Sequence, residues 1–281
     1  MVVDSAPSEG PSTTGRAGRN LPAAIAVGVV LAVAIIASLF VYKALFVVLV
    51  LAAILLAVDE VARALSTGGT RVERVPILIG TAAIQIAAYF GGPMAMLIAI
   101  ALTVLATIVW RMPKGSERFV RDTTAGVFVI GYVPMLAGFA IMLTSPDDGP
   151  WRVVTFVLVV TSSDIGGYAV GVLFGKHPMA PAISPKKSWE GFAGSALTCV
   201  AVGILSVVYF LDGSLWVGAL VGAVAVVVAT LGDLIESMIK RDLGIKDMSN
   251  LLPGHGGVMD RLDSLLAAAP VIWLMLHLLV P

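Results

Sequence analysis

Asp233, Glu236, Ser237 and Lys240 fall at i, i+3, i+4 and i+7, which is one face of a helix. A second run, Asp260-Arg261-Leu-Asp263-Ser264, repeats the pattern acid-x-x-acid-Ser, so two carboxylate-bearing helix ends could face each other. Hard oxygen ligands of this kind suit Mg²⁺, which takes one or two protein carboxylates and completes its shell with phosphate and water. The plainer reading is a set of Asp–Arg and Glu–Lys pairs at a membrane interface. The connecting segment Lys246-Asp247-Met-Ser249-Asn-Leu-Leu-Pro253-Gly254-His255-Gly256-Gly257 is rich in glycine. Backbone N–H groups there can approach an anion, and the helix start that follows adds its positive dipole end. His255 has no His or Cys at ligand spacing, so it suits a phosphate contact or a loop-fixing hydrogen bond better than zinc. Another polar segment, Ile183-Ser184-Pro185-Lys186-Lys187-Ser188-Trp189-Glu190-Gly191, sets two lysines beside hydroxyls. They suit a triphosphate or a lipid phosphate, although headgroup anchoring explains lysines nearly as well. Gly171-x3-Gly175-Lys176-His177 is one residue short of a Walker A loop and lacks the following Ser or Thr.

These groups must be carried by membrane helices. Of 281 residues 58% are hydrophobic and 13% charged, with a mean hydropathy of +0.99, which excludes an ordinary soluble enzyme. The 18 basic and 18 acidic side chains cancel, so net charge names no partner. Cys199 is the single cysteine, so no intrachain disulfide forms, and in an apolar run it reads as a small hydrophobe. Residues 1–20 read as a disordered tail. Apolar runs follow at about 22–41, 44–58, 75–90, 94–110, 122–143, 152–173, 189–211, 215–239 and 262–280, predicting an all-α polytopic membrane protein of about nine spans. Gly167, Gly171 and Gly175 form a small-residue stripe suited to close helix packing. With nine spans, all 18 Lys and Arg residues except Lys43 and Arg152 fall on one side. That predicts a cytoplasmic N-terminus and an outer C-terminus. Acidic groups in membrane helices mark sites, and they concentrate late, at Asp164, Glu190, Asp233, Glu236, Asp260 and Asp263. The chain therefore divides into a tail, N-terminal spans over 21–150 and a catalytic region over 151–281.

The motifs resemble those of a known family. Ser237-Met-Ile-Lys240-Arg241, then Lys246-Asp247-x-Ser249, then Leu252-Pro253-x-His255-Gly256-Gly257-Val258-x-Asp260-Arg261-Leu262-Asp263 is similar to the signature of the phosphatidate cytidylyltransferases, over residues 237–263 without a gap. Ser163-Asp164-Ile-Gly-Gly-Tyr168 through Gly175-Lys176, with Ser184-Pro185-Lys186-Lys187-Ser188-Trp189-Glu190-Gly191, is similar to a second block. Ser188 stands where Thr is more usual and keeps the hydroxyl. Residues 1–150 resemble the family only as membrane helices.

The resemblance implies transfer of CMP from CTP to phosphatidate, giving CDP-diacylglycerol and pyrophosphate, in a plasma-membrane homodimer that requires Mg²⁺. CTP, phosphatidate and membrane lipids are its expected partners, and nucleic acid is not among them. It places the metal on Asp233 and Asp260. Ser184, Lys186 and Lys187 look like nucleotide or lipid-phosphate contacts, and Lys240, Arg241, Lys246 and His255 like pyrophosphate or phosphatidate contacts. Asp263 joins the catalytic group; Asp164, Pro185, Ser188, Glu190, Ser237, Asp247, Gly256, Gly257 and Arg261 join the substrate-binding group. Two other readings are an ion-coupled transporter, although no duplicated halves are evident, and a CDP-alcohol phosphotransferase, although no Asp-x2-Asp-Gly-x2-Ala-Arg run occurs.

Overall fold

Hydrocarbon offers backbone N–H and C=O groups no partner, so an apolar chain closes its hydrogen bonds within helices. The computed structural model describes residues 33, 35–249, 251 and 256–280. The 1–20 tail lies outside these residues, as does most of the expected first span, of which residues 35–41 are helical. The elements are α1 (Lys43–Thr67), α2 (Arg74–Arg111), α3 (Phe119–Tyr132), α4 (Pro134–Met142), α5 (Gly149–Phe174), strands β1 (Pro178–Ala180) and β2 (Ser184–Ser188), α6 (Trp189–Phe210), α7 (Leu215–Asp242) and α8 (Met259–Leu279). Seven helical stretches among the described residues have membrane length and composition, α3 and α4 together making one of them across a break at Val133.

Helix α2 is counted as one of the seven, yet it is a hairpin. Gly92 leaves the helical region at φ 65° and ψ −159°, immediately before Pro93, and only glycine takes that backbone without strain. The chain then doubles back. A Cβ on Gly80 would strike the Thr103 side chain, and Lys114 Nζ, beyond the far end, donates to Glu73 Oε1 at 2.7 Å. A straight helix of 38 residues would hold those ends more than 50 Å apart at about 1.5 Å per residue. The predicted runs 75–90 and 94–110 thus form two helical arms folded back on each other.

The hairpin brings the basic connections to one end. Arg111, buried, donates to Asp122 Oδ2 and to the Gly115 and Glu117 carbonyls; Asp122 Oδ1 also accepts the Arg71 N–H. Arg118 and Arg121 donate to the carbonyls of Gly69 and Gly68, and Gly68 lies against Leu243 after α7. At the opposite end Lys43 Nζ donates to the Pro146 carbonyl at 2.8 Å, and Arg152 Nε pairs with Asp148 at 2.8 Å. The two basic residues that the sequence set apart are therefore together in space.

The C-terminal helices pack through glycine. A Cβ on Gly167 would come within 2.5 Å of Ser195 Oγ, and one on Gly171 would touch Gly191, so the stripe on α5 seats the start of α6. Gly203 on α6 meets Gly218 and Gly222 on α7, and Gly232 on α7 meets Ser264 and Ala267 on α8. Small residues let backbones approach and gain dispersion where lipid supplies no hydrophobic drive. Cys199 is buried in the α6 interface, its thiol 3.3 Å from the Val159 carbonyl. Within the all-α fold the polar segment before α6 forms a short antiparallel ribbon of β1 and β2, Pro178 opposite Ser188 and Ala180 opposite Ser184. So small a hairpin is marginal alone. Here the Trp189 N–H, donating to the His177 carbonyl at 3.0 Å, closes its base.

In a background with Cys199 replaced by Ser, a cysteine at Ser214 should react with an impermeant thiol reagent added outside the cell, and one at Ser116 should react only after permeabilisation. Equal labelling of both from outside would contradict the segregation of the two ends.

Candidate active site

Where α7 and α8 cross, Gly232 removes the side chain that would hold them apart: its Cβ position is 2.7 Å from the Asp263 carbonyl and 3.1 Å from Ser264 Cα. Asp233 and Glu236 on α7 and Asp260 and Asp263 on α8 thus lie within about one turn of a single crossing. Four acids in so small a space need counter-charge. Lys240 Nζ bridges Glu236 Oε2 at 2.5 Å and Asp260 Oδ1 at 2.9 Å, and Lys187 Nζ, from β2, pairs with Asp233 Oδ2. Ser237 Oγ donates to Asp233 Oδ1 at 3.4 Å, and Asp263 Oδ1 accepts the Ser264 N–H at 2.7 Å.

Asp260 also organises backbone. Its Oδ2 accepts the Met248 N–H at 3.0 Å and the Gly257 N–H at 2.8 Å, so one carboxylate spans the connection between α7 and α8. Gly256 has φ 82°, and a Cβ there would lie 2.9 Å from Asp260 Oδ2, so the position needs glycine on both counts. Lys246, Asp247 and Arg261 are exposed near this connection. His255 lies outside the described residues.

Beside the acids is a cavity of about 300 Å³ between α5, the β ribbon, α6 and α7. Asp164, Ser184, Lys186, Lys187, Ser188 and Asp233 supply its polar wall, and Tyr168, Met179 and Phe192 part of its apolar wall. The ribbon and the α7 acids therefore share one chamber. Ser188 also caps α6, accepting the Gly191 N–H at 3.1 Å. Three expected contacts lie elsewhere. Pro185 is exposed on β2 and does not line the chamber; Arg241 Nε reaches the Ile183 carbonyl at 3.4 Å, tying α7 to the ribbon turn. Glu190 clasps the ribbon base, accepting the Lys176 and His177 N–H groups at 3.1 and 3.2 Å and lying 2.6 Å from His177 Nδ1.

Among the described residues no three His, Cys, Asp or Glu side chains are grouped to hold a metal ion. Mg²⁺ needs fewer when phosphates complete its shell. The donor set fits such an ion through hard oxygens: the buried Glu236 Oε1 has no hydrogen-bond partner, and Asp233 and Asp260 offer carboxylates whose present counter-charges, Lys187 and Lys240, a bound divalent ion would take over.

One participant was missed. Glu60, buried on α1, accepts the Ser249 hydroxyl and the Val258 and Met259 N–H groups, and so belongs to the same connection. An acid near the end of an apolar run is the available signal, outweighed in the sequence by the late concentration of the other acids.

A multi-span helical fold, with carboxylates and lysines converging on one chamber at the basic end, defines a membrane enzyme that handles polyanionic substrates. The comparisons give it a family: a model described as "Cytidylyltransferase family" matches residues 22–279, and the chain belongs to that family. It is 44% identical to a phosphatidate cytidylyltransferase of Mycobacterium leprae over 95% of this chain and 90% of the relative. It is 41% identical to the protein of that name from Mycobacterium tuberculosis strain H37Rv, over 95% and 85%. With the Pseudomonas aeruginosa protein of that name the identity is 48% over 42% of this chain and 45% of the relative. The chain is accordingly a nucleotidyltransferase, and neither a transporter nor a CDP-alcohol phosphotransferase is favoured.

The two lysines of the ribbon should differ. Lys187 holds the Asp233 carboxylate inside the chamber whereas Lys186 is more exposed on its wall. In neutral detergent micelles, Lys187→Ala should lower kcat/KM by a factor equivalent to about 1.5–3 kcal/mol, the range for a charged hydrogen bond, and Lys186→Ala by less. Wild-type kinetics in both would reduce the lysines to headgroup anchors.

Proposed function

We propose that the chain transfers CMP from CTP to phosphatidate, forming CDP-diacylglycerol and pyrophosphate. The observation that carries this reading is the chamber itself, in which Lys186 and Lys187 from the ribbon meet Asp233 from α7 at the end where the basic connections gather. Family membership and the names of the relatives support it.

A phosphatidate phosphate oxygen attacks the α-phosphorus of CTP, the P–O bond to the β-phosphate breaks, and pyrophosphate leaves. Nucleophile and leaving group are both anionic, so the reaction needs no strong general base. The barrier is the approach of two polyanions and the charge gathered on pyrophosphate, which positioned cations and N–H donors lower. Lys186 and Lys187, with the Ser184 and Ser188 hydroxyls, bind phosphate on one wall of the chamber. Lys240 stands at the acid crossing, and Lys246, exposed near the connection, extends positive charge toward the departing pyrophosphate, while Arg241 ties α7 to the ribbon turn. Asp233 and Asp260 are the proposed holders of Mg²⁺, which when bound supplies charge neutralisation at the phosphates. Asp164 faces the same chamber from α5, and Asp263 stands beside Asp233 at the crossing, where each adds to the negative field that draws a divalent ion.

Diacylglycerol tails stay in the bilayer while CTP arrives in water, so the site has to lie at an interface. We place it on the cytoplasmic side of the plasma membrane, with the N-terminus inside and the C-terminus outside. The gathering of the basic connections at one end supports that orientation. The working unit, on the family resemblance, is a homodimer.

Purified protein in detergent with phosphatidate, labelled CTP and Mg²⁺ should yield labelled lipid and equimolar pyrophosphate. Absence of both would overturn the assignment. Asp233→Asn and Asp260→Asn should nearly abolish turnover in a folded protein, because a neutral amide keeps the shape and loses the attraction for the metal. Near wild-type rates in either at limiting Mg²⁺ would remove that residue from the metal site.

A further inference from the structure

The signature connection is held by two carboxylates, and one of them comes from far outside the signature. Asp260 Oδ2 takes the Met248 and Gly257 N–H groups. Glu60, near the basic end of α1, takes the next set: Oε1 accepts from Ser249 Oγ at 2.6 Å and from Val258 N at 3.0 Å, and Oε2 accepts from Met259 N at 2.8 Å. Val258 and Met259 open α8, where N–H groups lack intrahelical acceptors and the helix dipole favours negative charge. Gly257 is wedged between the two acids: a Cβ there would lie 2.7 Å from Glu60 Oε2 and 3.1 Å from Asp260 Oδ2. Each carboxylate therefore grips the beginning of the connection, at 248 or 249, and its end, at 257 to 259.

We propose that Glu60 is a positioning residue for the transfer reaction, clamping Ser249, Val258 and Met259 to α1 so that Asp260 and the start of α8 are held in register with Asp233 and Lys240 on α7. Glu60 has no place in the chamber wall, and α1 packs directly on α8, so its action on the chemistry passes through Asp260. The geometry suits a carboxylate in particular. Three donors converge on two oxygens, and an amide would turn its NH₂ group toward at least one N–H that cannot reverse its role. The inference rests on the reading of Asp260 as a metal-holding residue, whereas the clamp itself is read independently of turnover.

The test combines kinetics with hydrogen exchange on the full-length protein. Glu60→Gln should quicken exchange at the amides of Met248, Gly257, Val258 and Met259, lower kcat by about 10- to 100-fold and raise the Mg²⁺ needed for half-maximal rate, as loss of an outer-shell partner does. KM for CTP should stay within about twofold, since Lys186 and Lys187 are untouched. Glu60→Asp, which keeps the charge, should recover part of the rate. Ser249→Ala removes one of the three bonds and should shift exchange and Mg²⁺ dependence the same way by less, which keeps the test open should Glu60→Gln fail to fold. Faster exchange with unchanged kcat and Mg²⁺ dependence would make Glu60 merely structural, and unchanged exchange would remove the clamp. An inactive wild-type chain would instead sink the functional reading, leaving exchange to decide the clamp.

Discussion

Carboxylates placed where water is scarce have to be paired, and the site is organised around that constraint. Gly232 lets α7 and α8 cross at backbone contact, which crowds Asp233, Glu236, Asp260 and Asp263 together. Their mutual repulsion is offset by Lys240 within the pair of helices and by Lys187 from outside it. The outside lysine matters for architecture as well as charge. It ties the β ribbon to α7, and the chamber exists because the ribbon is held there.

Everything that presents Lys187 follows from close packing upstream. The Gly167 and Gly171 positions bring α5 against the first turns of α6, and Gly203 with Gly218 and Gly222 brings α6 against α7. Three helices in backbone contact make a rigid wall, and Glu190 fixes the ribbon to its edge through the Lys176 and His177 amides. Glu190 thereby shapes the chamber from its edge, through backbone it holds in place. Rigidity of this kind suits a reaction whose barrier is the alignment of two anions.

The N-terminal half takes part through geometry instead of through motif residues. Reversal at Gly92 is what returns the chain to the basic end, allowing Lys114 to reach Glu73 and Arg111 to reach Asp122. Helix α1 packs against α2, α4 and α8, and from that position Glu60 reaches the signature connection. The N-terminal half, which carries none of the signature motifs yet lies within the family match, is therefore part of the frame for the half that carries the chemistry.

Much was legible from order along the chain alone. Apolar runs of bilayer length, the helical spacing of Asp233, Glu236 and Lys240, and the repeated acid-x-x-acid-Ser are local properties, because a bilayer and a helix impose fixed lengths and periods whatever the neighbours are. The division of residues 75–110 into two arms was legible too, as two apolar runs with a short gap between them. Tertiary structure alone decided which charged groups pair. Nothing in sequence spacing sets Lys187 on Asp233, turns Glu190 away from the chamber, or sends Glu60 to Val258 and Met259. Those partners are far apart in the chain, and they meet because glycine contacts and one hairpin fix the helix positions, after which each buried charge takes the nearest group able to satisfy it.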